Sequence, residues 1–308
     1  MAQLIKLQDY TSRYESNIYQ YPAQYIRLKK ENWNKMKHLY EQGMLQQPQE
    51  PVESSWNHEE KKQGWKKFFQ KEEKQSLTNE EMEKEVNDDL PQTMEELKKY
   101  FLDGLFPFQL KWASTTLREK SFVDRSYKED DRLKYFLQRF PDTYFLMYHP
   151  IVVLRQAEME ALPILISPHG IEIIYYMEGQ VNGIVEPNSE NSWFVEQGDV
   201  RSKVLSPLFA LQRTESFVKS VWKAYDLNFP VQKVVLAPDL FVKESQEPYS
   251  TRYIGRERYE AWLHEKRKLV SPLKHDQLKA ADALLKHCQT TSFKRPEWDE
   301  DPKEFMEE

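Results

Sequence analysis

Apolar positions in the first third of the chain recur at the spacing of one helical face. In "ENWNKMKHLYEQG", Trp33, Met36 and Tyr40 fall at helical intervals and Gly43 marks a stop. Residues 1 to about 47 are therefore expected to be helical. "QQPQEPVESS" breaks that pattern with prolines and polar residues and reads as a linker near 46–57. From His58 to Asp89 the chain is mostly charge, with Trp65, Phe68 and Phe69 on one helical face and a capping box from Thr78 to Glu81. "PQTMEELKKYFLDGLFPFQLKWA" opens with a second box, Thr93 to Glu96. Behind it Met94, Leu97, Phe101, Leu102 and Leu105 form a stripe that must pack on something.

From Asp130 the pattern shortens. "DDRLKYFLQRF" is a helix with Leu133, Phe136, Leu137 and Phe140 along one side. Three dense apolar runs follow: "TYFLMYHPIVVL", broken at Pro150, "LPILISPHGIEIIYYMEG", and later "VQKVVLAPDLFV". Short runs rich in β-branched and aromatic residues read as buried strands. Between the last two, "SPLFALQRTESFVKSVWKAYDL" is a helix opening at Ser206-Pro207, with Phe209, Phe217, Val221 and Trp222 apolar at helical spacing. The order helix, strand, strand, strand, helix, strand predicts an α/β (α+β) fold, a small mixed sheet covered by helices. "RERYEAWLHEK", a last helix behind Ser271-Pro272 and the acidic stretch "RPEWDEDPKEFMEE" complete the pattern. Three regions are expected: a helical, charged 1–105, an α/β core at 106–245, and C-terminal helices with an acidic tail at 246–308.

Composition narrows the function classes. The 308 residues are 39% hydrophobic, 31% charged and 13% aromatic, so a real core coexists with exposed polar helices. A net charge of −6 argues against a protein dominated by phosphate contacts. Cys288 is the only cysteine, which excludes disulfides within the chain and cysteine-rich zinc sites and fits a reducing compartment. "MAQLIKLQDYTSRYES" has no apolar leader region, and no run of 18 apolar residues occurs. A cytosolic protein without a membrane span is the expectation.

Four stretches together carry a family resemblance: the hairpin "ILISPHGIEIIYYMEG", Trp193 behind it, the helix opening "SPLFALQR", and the strand "VQKVVLAPDLFV". They resemble the nuclease-related domain, NERD, of the PD-(D/E)xK restriction-endonuclease-like superfamily, over roughly a third of the chain. The resemblance implies a restriction-endonuclease-like core. It also implies a site in which two carboxylates hold Mg²⁺ and a lysine helps to position the attacking water. The first carboxylate would open the first hairpin strand. The second would lie in the next strand, two residues before the lysine. Aligned on the turn "SPHG", these places hold Leu162, Tyr175 and Met177. None can replace what the family uses: leucine and methionine offer no oxygen, and an ordinary tyrosine stays protonated at neutral pH. By strand parity Ile171, Ile173, Tyr175 and Met177 share one face, while Glu172, Ile174, Tyr176 and Glu178 share the other. The face that would grip the metal is greasy, and a degenerate, non-catalytic core is the expectation. The alternative is a one-residue bulge that swings Glu178 into the site with Glu160 as partner, giving a divergent Mg²⁺-dependent nuclease.

Other features weigh less. The seven histidines are scattered and show no zinc-binding spacing. His287 and Cys288 are helix neighbours pointing apart. Arg213, Lys219 and Lys223 line one side of the helix after Ser206, which reads as a solvated face or as a residual nucleic-acid surface. Trp65 and Phe69 in their charged setting read as a sticky stripe on a solvated helix, in preference to a membrane or nucleic-acid contact. Trp33, Trp56, Trp65 and Phe69 are the expected contacts for a protein partner. The expected function is binding, without a cofactor.

Overall fold

A computed structural model of the chain describes residues 1–45, 90–154, 157–188 and 191–294. Trp56, Trp65, Phe69, the Thr78–Glu81 box and the acidic stretch lie outside the described residues. The chain forms two compact units, Met1–Tyr25 with Phe106 onward, and Ile26–Leu105.

The first unit contains a six-stranded sheet in the order β1-β3-β6-β7-β11-β13. Its strands are β1 (Gln3–Leu7), β3 (Phe145–Tyr148), β6 (Ile164–Ser167), β7 (Gly170–Tyr176), β11 (Val231–Ala237) and β13 (Thr251–Gly255). β6 runs antiparallel to both neighbours, whereas the pairs β1/β3, β7/β11 and β11/β13 are parallel. Five of the six strands therefore point the same way, and Leu7, Tyr148, Tyr176, Ala237 and Gly255 end at one edge. The fold is mixed α/β, as the apolar runs predict.

Helices cover both faces. On one side lie α4 (Asp131–Arg139) and α6 (Arg256–Lys268). Phe140 meets Trp262 at 5.7 Å and Phe136 meets Tyr176 at 6.3 Å, edge to face. Lys266 on α6 also reaches Glu172 on β7, 2.6 Å away. On the other side lies α5 (Leu208–Tyr225), with α7 (His275–Leu285) packed beside it. Ser206 Oγ accepts from the Leu208 amide at the start of α5, as its sequence position suggests. Asp130 Oδ1 accepts from the Arg132 and Leu133 amides, both 2.9 Å, capping α4.

Three smaller sheets surround this core. β8 (Ile184–Pro187), β9 (Ser192–Gln197), β10 (Val200–Leu205) and β12 (Phe241–Val242) form a four-stranded sheet. Buried Trp193 on β9 meets Tyr253 of β13 at 5.0 Å. β4 (Ile151–Leu154) pairs with β5 (Ala157–Glu160), and β2 (Glu119–Lys120) with β14 (Phe293–Lys294).

Two expectations change. The start of the chain is not wholly helical: Gln3–Leu7 is a strand with every residue buried. Five residues of "QLIKL" are too few for periodicity to separate strand from helix, and burial on both faces leaves no alternation to read. Lys6 is tolerated there because its ammonium is paired with Glu15 and donates to Tyr10 O (2.9 Å) and Thr290 Oγ1 (2.8 Å). The regions from 106 also do not separate at 245. β13 pairs with β11, and α6 packs on the same sheet, so the C-terminal helices complete the core.

The second unit holds most of α2 (Tyr21–Glu41) and of α3 (Met94–Trp112). The Thr93–Glu96 box is present: the Glu96 amide donates to Thr93 Oγ1 (3.1 Å), and the Thr93 amide donates to Glu96 Oε2 (3.2 Å). Leu97, Phe101 and Leu105 of the apolar stripe are buried.

Candidate functional site

The five positions singled out around the hairpin gather at the edge where β3, β7 and β11 end. Leu162 precedes β6, and its amide donates to Thr214 Oγ1 on α5, 3.1 Å. Tyr175 is half-buried in β7. Met177 follows it, 8% exposed, with its amide donating to Leu236 O at 2.8 Å. The register fixes their direction. β7 pairs with β11 without interruption from Ile171↔Val231 to Tyr176↔Leu236, and with β6 from Gly170↔Ser167 to Ile173↔Ile164. The pairing of β7 with β11 shows no bulge from Ile171 to Tyr176. Lys233, level with Ile173, reaches Glu215 on α5, while Glu172 reaches Lys266 on α6. Odd-numbered β7 residues thus face α5 and even-numbered ones face α4 and α6.

Glu178 accordingly turns to the α4 side, where it forms an ion pair with Arg132. The Arg132 guanidinium also lies 5.8 Å from the centre of the Tyr176 ring. Glu160, exposed at the end of β5, has Oε1 2.9 Å from His149 Nδ1, although the angle departs from that of a hydrogen bond. His149 occupies a tight turn with φ 48°, an uncommon conformation for a non-glycine residue, and its ring meets Tyr148 at 4.6 Å. The Tyr148 hydroxyl donates to Asp130 Oδ2, 3.0 Å. Asp130 thus serves α4 with one oxygen and Tyr148 with the other.

This side of the edge is crowded with titratable groups. Burial lowers the pKa of His149; Glu160 and Asp130 pull it back only in part. Burial raises Tyr148, and Asp130 adds to the rise; burial likewise raises Tyr176, with Asp239 adding to it. Both hydroxyls stay protonated, and that of Tyr148 acts as a donor. Among the described residues, no three His, Cys, Asp or Glu side chains are placed to hold a metal ion together.

A second polar group lies on the α5 face. Glu215 Oε2 sits 2.6 Å from Lys233 Nζ, and Oε1 sits 2.8 Å from Lys219 Nζ. Lys219 is thereby committed to a carboxylate, while Arg213 and Lys223 are exposed on the same helix. In the second unit, Trp33 is half-buried and packs on Phe101 at 5.2 Å, so its ring is engaged within the chain.

Sequence reasoning missed Asp130, Arg132 and His149 as one neighbourhood with Glu160 and Glu178. The residues are dispersed over four stretches, and only the fold brings them together. The Asp-Asp cap before α4 was the readable signal; nothing in the spacing pointed to His149. It missed Lys233 and Glu215 for a similar reason, since a charged residue within an apolar strand names no partner.

No family model matches the chain, and no solved structure matches it. Among curated proteins the chain is similar to an RNA 2',3'-cyclic phosphodiesterase of Geobacillus stearothermophilus, 32% identical over 117 residues. The match takes in 35% of this chain and 36% of that protein, so the chain spans about a third of the length of the curated relative it matches.

Proposed function

We propose that this chain is a cytosolic binding protein on a nuclease-like α/β core, NERD-like in plan, whose metal-dependent chemistry has been replaced by packing. One observation carries the reading: the unbroken register of β7. By the resemblance Tyr175 and Met177 stand where a carboxylate and a lysine would be needed, and the register, with the Glu178–Arg132 ion pair, supports the reading. Of the other carboxylates nearby, Glu160 sits beside His149 and Asp130 caps α4 and accepts from Tyr148. A hard divalent cation prefers several oxygen ligands converging from one side, and these side chains diverge. The partner of such a module is another protein or a nucleic-acid strand; for the latter, the exposed Arg213 and Lys223 on α5 supply the contacts, Lys219 being held by Glu215. Incubation with supercoiled plasmid and Mg²⁺ or Mn²⁺ tests the reading. Intact plasmid is expected; nicking that disappears in Glu178→Ala would restore the divergent nuclease, with Mg²⁺ as its cofactor.

The His149–Glu160 contact favours a second reading. A histidine beside a carboxylate brings together two groups used in general-base catalysis, and the curated relative is named as a phosphodiesterase. Under this reading His149 would take a proton from an attacking water at a cyclic phosphodiester. Hydrolysis of a 2',3'-cyclic nucleoside monophosphate by the wild type, lost in His149→Ala, would establish it over the binding role.

A further inference from the structure

The outermost strand of the large sheet holds a carboxylate where a further strand would lie. β13 pairs only with β11 in that sheet. The Tyr253 amide donates to Glu247 Oε1 at 2.9 Å, and Arg258 Nη1 donates to Tyr253 O at 2.9 Å and to Glu247 Oε1 at 2.5 Å. A backbone N–H and a guanidinium thus converge on one carboxylate oxygen, an arrangement that recognises a charged acceptor. Glu247 comes from the segment between β12 and β13, in which Tyr249 is 95% exposed. Its side chain is 29% exposed and that of Arg258 52%, so little packing keeps this carboxylate in place.

These groups line a hollow of about 810 Å³, which Lys243, Glu244 and Glu257 line as well. α6 opens onto it at Gly255, which has no side chain to cap the helix, so the positive end of the helix dipole faces the hollow. Tyr253 adds an independent observation. It lines the hollow, is 5% exposed and meets Trp193 at 5.0 Å, yet among the described residues its hydroxyl has no hydrogen-bond partner. Burial pushes its pKa up to about 12, with the Glu247 charge adding to the rise, so the hydroxyl remains a donor. A donor on so buried a side chain calls for an acceptor. Lys243 is held by Glu186 at 3.3 Å, while Glu244 and Glu257 have no ion pair among the described residues. Those two carboxylates oppose a doubly charged anion more strongly than a singly charged one.

We propose that this hollow binds a ligand carboxylate, which displaces Glu247 and is held by the Tyr253 amide and the Arg258 guanidinium, while the Tyr253 hydroxyl takes a second polar group of the same ligand. Glu247 is then an internal stand-in that keeps the site closed until the ligand arrives. The carboxylate is the free end of an extended peptide laid along β13, or that of a small organic acid. The site is separate from the His149 neighbourhood and depends on neither reading of it.

Amide NMR of the full chain, followed at Tyr253, tests this with four probes: acetate, N-acetyl-trialanine with a free carboxylate, the same peptide amidated, and inorganic phosphate. Acetate and the free-carboxylate peptide are expected to shift the Tyr253 amide, and the amidated peptide and phosphate to leave it in place. Glu247→Ala is expected to tighten both carboxylate probes about tenfold by removing the internal competitor. Glu247→Gln, which keeps the side-chain shape, is expected to act in the same direction. Arg258→Gln is expected to weaken both at least about tenfold, and Tyr253→Phe to weaken the peptide about fivefold without touching acetate. Tighter binding of the peptide than of acetate assigns the site to a peptide end; equal binding assigns it to a small acid. A wild-type amide that never responds overturns the proposal, because Glu247 is then a fixed part of the fold. A shift by the amidated peptide or by phosphate equal to that by the free carboxylate also overturns it.

Discussion

Lys233 and Glu215 are joined at 2.6 Å across the interface between β11 and α5, each with only about a tenth of its side chain exposed. Lys219 approaches the other Glu215 oxygen, so the carboxylate has two cations and Lys233 has one anion. That asymmetry predicts unequal mutants. Glu215→Gln strands Lys233 without a countercharge and is expected to lower the unfolding free energy by about 3 kcal/mol. Lys233→Met leaves Glu215 with Lys219 and is expected to cost clearly less. Urea denaturation of both variants checks the order.

The same carboxylate sets an acid limit. Burial raises the Glu215 pKa, but hydrogen bonds from Lys219 and Lys233, reinforced by their charges, outweigh it and hold the group below its ordinary 4.5. A depressed folded value means that the stabilisation is complete above about pH 4.5 and is lost as pH falls through the folded value. Stability of the wild type is expected to drop in that window, and that of Glu215→Gln to drop less.

His149 gives a second pH-dependent signature. Its folded pKa lies below the ordinary 6.5, so the neutral ring contributes stability above pH 6.5 that is lost as pH falls through the folded value. Proton NMR of the ring should show a midpoint below 6.5. Glu160→Gln removes the largest influence that raises it, and the midpoint should move lower still. An unchanged midpoint in that variant would show that the 2.9 Å contact carries no charge coupling.

Gln109 holds β1 to α3 with one buried side chain. Its Oε1 accepts from the Leu4 amide at 3.1 Å, and its Nε2 donates to Ala2 O at 2.7 Å and Tyr25 Oη at 2.8 Å. Gln109→Leu leaves these groups without partners at a cost of about 2 kcal/mol. Amide exchange of Leu4 should accelerate while that of β7, deep in the sheet, changes little.

Cys288 should be inert in the folded chain. Burial pushes its thiol up to about 12, and Sγ donates to Leu284 O at 3.4 Å. Labelling by a thiol reagent near pH 8 is expected to be at least about a hundredfold slower than in denaturant. Rapid labelling of the native protein would show that the segment after α7 opens.

The sequence made the core legible where elements were long or dense. The hairpin around Gly170 and the Thr93 box form as their residues suggest, while the run read as one strand from Val231 to Val242 divides at Pro238 into β11 and β12, which belong to different sheets. It failed where meaning depends on neighbours far along the chain. Gln3–Leu7 carries no strand signature of its own, because its identity comes from lying beside Phe145–Tyr148. The parity of β7 was readable, and it correctly separated Tyr175 from Glu178. What parity could not supply was the occupant of each side: Arg132 beside Glu178, or Lys233 beside Glu215. Those contacts are set by helix docking, which no local pattern encodes.

The buried position of β1 has a consequence for assembly. When Gln3–Leu7 leaves the ribosome, its sheet neighbour is still roughly 140 positions behind. Lys6 waits longer, since Thr290 lies 284 residues away. Until nearly half of the chain has been made this greasy pentapeptide has nothing to pair with, and the ammonium within it keeps it tractable until its sheet neighbour arrives. Neutralising Lys6 would therefore be felt first as aggregation of nascent chains, before any defect in the finished molecule.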